Sequence, residues 1–325
     1  MSSLYPVVFL VGPTAVGKSK VAVALAKRLK GEIISADAMQ VYRGMDIGTA
    51  KPSLAERQKV PHHLYDIVSP ARKFSVHEYR KHALKVLREV AGRGKIPIVT
   101  GGSGLYVRAL IDGLAELPGG DVAIRRRLNH EAREQGSDKL YARLKSLDPA
   151  TAAAIHPANV RRILRALEIL EISGKKPSQW YCERDPIESY GFKPFVFGLT
   201  CEREILYERI ERRVDHMFRR GLVQEVSSLL RGKWSMTASQ AVGYKEIRQV
   251  LKQTRRQFVI KSAAISLVKD QIKRNTRRFA KRQMTWFKKE RDIQWIECHS
   301  LNGVAEASEK ICKMLKPMNL KSLTS

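Results

Sequence analysis

The sequence predicts an α/β fold: a P-loop NTPase-like parallel sheet with helices on both faces, plus helical insertions. Three observations predict it. A glycine-rich pattern at residues 12–19 lies between an apolar run and an amphipathic run. Runs of strand length alternate with runs of helical period at both ends of the chain, which implies parallel strands covered on both faces. Between these ends, helical periodicity stands alone.

Residues 7–11 form a short apolar run ending at glycine, the pattern of a buried strand. Residues 19–29 carry Val21, Leu25 and Leu29 at helical spacing. Ile33 and Ile34 mark a second strand at 32–36. Residues 74–94 carry Val76, Tyr79, Ala83, Val86, Leu87 and Val90, a long amphipathic helix closed by Gly94. The β-branched run at 96–100 makes a third strand. Helices are then expected at 125–134, 140–147 and 160–172 with no strand between them. Residues 195–199 return to strand and 202–218 to helix. A basic helical region extends to about 289, followed by a strand at 294–296 and a helix at 304–315. The expected organisation is a discontinuous core at 1–120 and 190–318, with the basic helical region at about 216–289. A helical insertion occupies 121–189, and 319–325 is a tail.

Composition limits the function classes. Lys and Arg total 60 against 32 Asp and Glu, a net charge of +28, which points to a polyanionic partner. From Lys252 to Arg291 there are fourteen basic residues and two acidic ones, Asp270 and Glu290. That imbalance points to contact with nucleic acid, with a merely soluble basic face as the alternative. No apolar run reaches the ~20 residues needed to span a bilayer. The first apolar run has neither a basic leader nor a cleavage site, so no signal peptide is expected. Cys182, Cys201, Cys298 and Cys312 are scattered without a C-x-x-C pair, which argues against zinc ribbons and disulfide frameworks and for a cytoplasmic location. The histidines lack metal-ligand spacing, and His62–His63 in a proline-flanked loop reads as structural.

Gly12, Pro13, Thr14, Ala15, Val16, Gly17, Lys18 and Ser19 fit G-x-x-x-x-G-K-[ST] between an expected strand and an expected helix, the context the motif requires. Its glycines let successive N–H groups point at phosphate oxygens, and the helix start adds its positive end. Lys18 supplies a point charge, and the Ser19 hydroxyl is the candidate ligand for Mg²⁺. The loop does not choose between a nucleotide and another diphosphate. A P-loop kinase or ATPase usually ends a later strand in Asp, but here the strand at 96–100 runs into Gly101-Gly102-Ser103-Gly104. Asp37, beyond the second strand, shares the carboxyl-end rim where open parallel sheets bind ligands. Position alone leaves it a metal partner, a helix cap or a general base.

The P-loop, residues 34–42 and 44–52, Pro61-His62-His63-Leu64, residues 101–106 and 161–168, Val242-Gly243-Tyr244 and residues 276–286 together resemble the tRNA dimethylallyltransferase family, the bacterial tRNA prenyltransferases. The resemblance runs through nearly the whole chain in order. It implies transfer of a dimethylallyl group from dimethylallyl diphosphate to the exocyclic amine of the adenosine just 3′ of the anticodon, with Mg²⁺. The P-loop would cradle the leaving diphosphate, where ATP or another nucleotide could compete. Asp37 would be the general base, Arg213 would steady the diphosphate, and Ser103 would contact substrate. The segment Asp37, Ala38, Met39, Gln40, the residues Ser103 and Arg125, and the segment Arg161, Arg162, Ile163, Leu164, Arg165 match tRNA-contacting positions. Ala38 stands where the family usually has serine, Ser103 where it has threonine, and Ser19 replaces the commoner threonine. The expected partners are a tRNA anticodon stem-loop and dimethylallyl diphosphate, with no membrane, acting on a monomeric enzyme. Prenylation of free AMP or ADP, a small-molecule P-loop kinase and a non-catalytic RNA-binding protein are the alternatives. The helical insertion and the basic stretch argue against the first, the missing Asp after residues 96–100 and the basic helical region against the second, and intact Lys18, Ser19 and Asp37 against the third.

Overall fold

The computed structural model describes residues 4–253, 262–290, 292–298 and 303–315. Arg255, Arg256, Lys261 and Arg291 of the basic stretch lie outside the described residues, as does the tail at 319–325.

The chain runs β1 (Tyr5–Val11), α1 (Lys18–Arg28), β2 (Glu32–Ser35), α2 (Leu54–Lys59), β3 (His62–His63), α3 (Val76–Gly92), β4 (Pro97–Gly101) and α4 (Gly104–Ile111). It continues through α5 (Val122–Gln135), α6 (Ser137–Leu147), α7 (Pro149–Ala153), α8 (Val160–Ser173) and α9 (Pro177–Cys182). It then returns to β5 (Phe192–Thr200), α10 (Arg203–Arg219), α11 (Leu222–Leu229), α12 (Tyr244–Gln253), α13 (Ser262–Phe287), β6 (Gln294–Glu297) and α14 (Gly303–Leu315). The six strands form one parallel sheet in the order β3-β2-β4-β1-β5-β6.

The P-loop-type α/β sheet expected from the sequence is therefore the one observed. Val7 to Val11 of β1 and all of β2 and β4 are buried. Alternate side chains of a strand point to opposite faces, so both faces of the sheet centre are covered. The strand the sequence did not signal is β3, two residues at the edge with no apolar pattern. His62 and His63 have structural partners there. The Nδ1 of His62 lies 2.7 Å from the Val60 carbonyl, and the Nε2 of His63 lies 2.6 Å from Glu32 Oε2, which Arg93 also holds.

Register fixes where the loops emerge. Val11 pairs with Gly101 and with Gly198, and Ser35 pairs with Thr100. The chain leaves β1, β2 and β4 at one rim. From β1 the next strand in sequence lies on one side and β5 on the other, the switch point at which such sheets open a crevice.

The described residues fall into two compact units, one within 1–111 and 190–325 and the other within 112–189. The second unit holds α5 to α9 around a core of Leu128, Leu140, Leu144, Ala152, Ile163, Leu164, Ala166 and Leu167. Its two ends are held close at Gly113, where a Cβ would stand 2.3 Å from the Asp185 carbonyl oxygen.

Candidate active site

The P-loop follows β1 into α1. Gly12 (φ 139°) lies so near β5 that a Cβ would meet the Leu199 carbonyl oxygen at 2.5 Å, and Gly17 (φ 112°) takes the left-handed conformation that starts the helix. Glycine is needed at both for these reasons. Helix α1 has no side-chain cap and no acidic residue in its first turn, so its leading N–H groups and positive end are left for an anion. Lys18 turns its ammonium back onto the carbonyls of Gly12 (2.9 Å) and Pro13 (2.7 Å). Burial lowers its pKa to about 7; Asp37 opposes that shift and Arg213 adds to it.

Asp37 stands two residues beyond β2. Its Oδ1 accepts from the N–H of Met39 (2.8 Å) and Gln40 (3.4 Å), an Asx-type turn that fixes the carboxyl plane. Its Oδ2 accepts no hydrogen bond from the described residues. Gly101 brings β4 against β2, since a Cβ there would sit 2.0 Å from the Ala36 carbonyl oxygen. That closeness delivers Ser103, whose Oγ accepts from the Ala38 N–H at 2.9 Å. Gln40 faces inward: it donates to the carbonyls of Thr49 (3.1 Å) and Ala50 (3.4 Å) and accepts from Ser35 Oγ (3.1 Å). Arg213 comes from α10 and donates to the Thr49 carbonyl at 3.5 Å. It has no carboxylate partner among the described residues. Burial pulls its guanidinium below the ordinary value, and the Asp37 charge counters part of that.

Two cavities meet on these residues. One, of about 280 Å³, is lined by Thr14, Gly17, Lys18, Ser19, Arg209 and Gln283, among others. The other, of about 270 Å³, is lined by Ala38, Met39, Ser103, Met217, Val242 and Ile272, among others, and is the more apolar. Thr14, Asp37, Thr49, Arg213 and Phe279 line both. Asp37 thus stands where a cationic chamber adjoins an apolar one.

Sequence reasoning missed several of these walls. No local motif singles out Thr49, Tyr65, Arg209, Phe279 or Gln283 as cavity residues. The signal lay in α13: Thr276, Phe279 and Gln283 recur at three- and four-residue steps, one helical face. The opposite face is basic. Arg274, Arg278 and Lys281 are exposed there and have no acidic partner among the described residues. Lys269 and Lys273 pair with Asp215, and Arg277 with Glu211, both on α10. Part of the charge excess therefore ties α13 to α10.

The remaining candidates lie on the second unit and are described there by themselves. Arg161 and Arg162 are exposed at the start of α8. Ile163 and Leu164 point into that unit's core. Arg125 and Arg165 converge on Glu168, which has no exposed surface and also accepts the Asp121 N–H at 2.8 Å.

Mg²⁺ fits the donors of the first cavity. Ser19 Oγ is a hydroxyl oxygen lining it beside Lys18, and Mg²⁺ typically takes one or two protein oxygens together with substrate phosphate and water. No cluster of three His, Cys, Asp or Glu suited to a metal occurs among the described residues, so the phosphates would complete such a site.

The IPP transferase family profile matches residues 40–290. The chain belongs to the IPP transferase family. Two similar relatives are the tRNA dimethylallyltransferases of Pelotomaculum thermopropionicum, 44% identical over 95% of this chain and 96% of its own length, and Carboxydothermus hydrogenoformans, 46% identical over 92% and 94%. Among solved structures, the tRNA isopentenylpyrophosphate transferase of Bacillus halodurans superposes with a TM-score of 0.69 at 39% identity, covering 99% of each chain. A eukaryotic dimethylallyltransferase acting on tRNA superposes at 0.78 and 28% identity, over 97% of this chain and 80% of its own. As an IPP transferase, the protein is a prenyltransferase by family, and no helix among the described residues is long and apolar enough to cross a membrane.

Proposed function

We propose that this IPP transferase is a tRNA dimethylallyltransferase of the cytoplasm, acting as a monomer. It moves the dimethylallyl group of dimethylallyl diphosphate onto the exocyclic amine of the adenosine immediately 3′ of the anticodon and releases diphosphate. The observation that carries this reading is the position of Asp37, shared by a cationic chamber and an apolar one. The relatives' shared activity and the exposed bases of α13 support a tRNA acceptor over a free nucleotide.

The diphosphate lies along the P-loop amides and the start of α1, with Lys18 and Arg213 beside it. The five-carbon group extends toward Phe279 and the apolar chamber. The target base leaves its stack to reach that chamber. The amine lone pair forms the new C–N bond as the C–O bond to diphosphate breaks, and the bonding pair leaves on the diphosphate. Asp37 Oδ2, free of hydrogen bonds from the described residues, takes the amine proton. Arg213 and Lys18 stabilise the charge that builds on the leaving oxygen. Ser19 Oγ and the phosphates would hold Mg²⁺, which would supply neutralisation of part of the diphosphate charge. Exposed bases on α13, with Arg161 and Arg162 on α8, hold the RNA backbone and set its register without reading sequence.

Incubation with dimethylallyl diphosphate, Mg²⁺ and either unmodified tRNA or AMP, followed by product mass, tests the reading. A gain of one prenyl group on tRNA alone is expected. A gain on AMP alone, or phosphate transfer from ATP, would replace it.

A further inference from the structure

One P-loop amide is already engaged from the far end of the chain. Gln283 on α13 is 6% exposed and sets its carboxamide between two strand-end loops. Its Oε1 accepts from the Thr14 N–H at 2.8 Å, and its Nε2 donates to the Gly102 carbonyl at 2.9 Å. A Cβ at Gly102 would stand 2.2 Å from that Nε2, so the glycine is what admits the carboxamide. Both halves of the buried group are satisfied, and such a group rigidifies what it joins. The same helix lends Thr276, Phe279 and Arg282 to the cavities and exposes Arg274, Arg278 and Lys281 on its outer side.

We propose that Gln283 is a positioning residue that fastens the diphosphate loop to the RNA-facing helix, coupling the binding of diphosphate and of RNA through one carboxamide. The inference rests on the prenyl-transfer reading above. Thr14 lines both chambers. A change in α13 when RNA engages its basic face is passed to Thr14 through Oε1. By linkage, diphosphate then alters RNA affinity by the same factor as RNA alters diphosphate affinity.

The test titrates inorganic pyrophosphate with Mg²⁺ into the full chain, with and without an unmodified anticodon stem-loop RNA. It compares the parent with Gln283→Leu and, as a second variant, Gln283→Glu, each checked for a cooperative thermal transition. In the parent, RNA should change the pyrophosphate Kd by about fivefold or more, the lower end of measured couplings. In Gln283→Leu the change should fall below about twofold. By the same reciprocity, the loss of coupling in Gln283→Leu should appear equally in the Kd of the stem-loop RNA measured with and without saturating pyrophosphate. Gln283→Glu should bind pyrophosphate more weakly than Gln283→Leu, because it sets a carboxylate beside the phosphate loop. A coupling equal in parent and variants, or absent from the parent, overturns the proposal. Failure of the parent to prenylate RNA would remove the donor assignment yet leave the coupling readable from pyrophosphate alone.

Discussion

Two carboxylates in this protein sit among cations, and they are built for opposite ends. Glu168, in the second unit, is fully buried and saturated: Arg125 and Arg165 form ion pairs with it, and the Asp121 amide donates to it. Asp37, in the first unit, is half-buried and holds two backbone amides on one oxygen only. Lys18 and Arg213 are near enough to feel its charge, but neither is ion-paired with it. A carboxylate whose lone pairs are all occupied fixes structure, whereas one with a bare oxygen facing a cavity can accept a proton. The cations differ in the same way. Arg125 and Arg165 are committed to Glu168, while Lys18 rests on carbonyls that an anion can replace.

The largest effect expected from this contrast is at Asp37. Asp37→Asn should lower turnover by about 10²–10⁴-fold, the usual worth of a positioned base. Tight RNA binding should survive, since phosphate contacts dominate affinity. Single-turnover rates with saturating RNA measure this directly. Glu168→Gln should leave the same rate within a few-fold; a comparable collapse in both variants would erase the distinction.

Next in size is the proton on Lys18. Burial brings its free-protein pKa to about 7, so above that pH the amine is mostly neutral before any anion arrives. A bound diphosphate restores the higher value, and binding therefore takes up a proton. The affinity for pyrophosphate should weaken as pH rises above about 7, by up to about tenfold per unit from this group. Lys18→Arg, permanently charged, should bind with a shallower pH slope, and the difference between the two slopes removes the titration of pyrophosphate itself. Calorimetry in buffers of different ionisation heat should register proton uptake in the parent. Uptake equal in Lys18→Arg would show that another group carries it.

Smaller again is the stability held by Glu168. Burial alone would raise its carboxyl, but the hydrogen bonds from Arg165 and Arg125 outweigh burial and hold it below the ordinary carboxylate value. Its stabilisation is present above the unfolded pKa, ~4.3, and is lost as pH falls through the lower folded value. Removing one member of a buried pair costs several kcal/mol, and the partial exposure of both arginines reduces this to roughly 2 kcal/mol for Glu168→Gln at neutral pH. Thermal unfolding at pH 7 and at acid pH measures it: the gap between parent and variant should close in acid.

These differences bear on what the sequence could reveal. The sheet was legible because β1, β2, β4 and β5 are apolar runs bounded by turn residues, and the P-loop because its glycines have a unique spacing. β3 was not legible, since a two-residue edge pair has no period. Asp37 could be placed on the rim from the end of β2, but its bare oxygen depends on the amides of Met39 and Gln40 and on β4 approaching at Gly101. Gln283 and Arg213 reach the cavity across hundreds of residues of chain, and no local pattern encodes that. The basic stretch was legible as charge but not in its division, because Asp215 and Glu211 lie on a different helix from Lys269, Lys273 and Arg277.

The same division separates the arginines of the second unit and gives the smallest effect. Arg161 and Arg162 are exposed with no acidic partner among the described residues, whereas Arg125 is held on Glu168. A cation that neutralises a phosphate releases counterions, and each such contact adds about 0.7–0.9 to the slope of log affinity against log salt. Arg161→Gln and Arg162→Gln should each lower that slope for anticodon stem-loop RNA by roughly this amount, with unfolding unchanged. Arg125→Gln should do the reverse, lowering the unfolding midpoint while leaving the slope nearly intact. An arginine engaged by a carboxylate brings little net charge to RNA, because the phosphate must displace Glu168 and leave it buried without its partner. If Arg125→Gln lowered the slope as much as Arg162→Gln, the Glu168 cluster would have to open on RNA binding, and the two carboxylates would be less different than their geometry makes them.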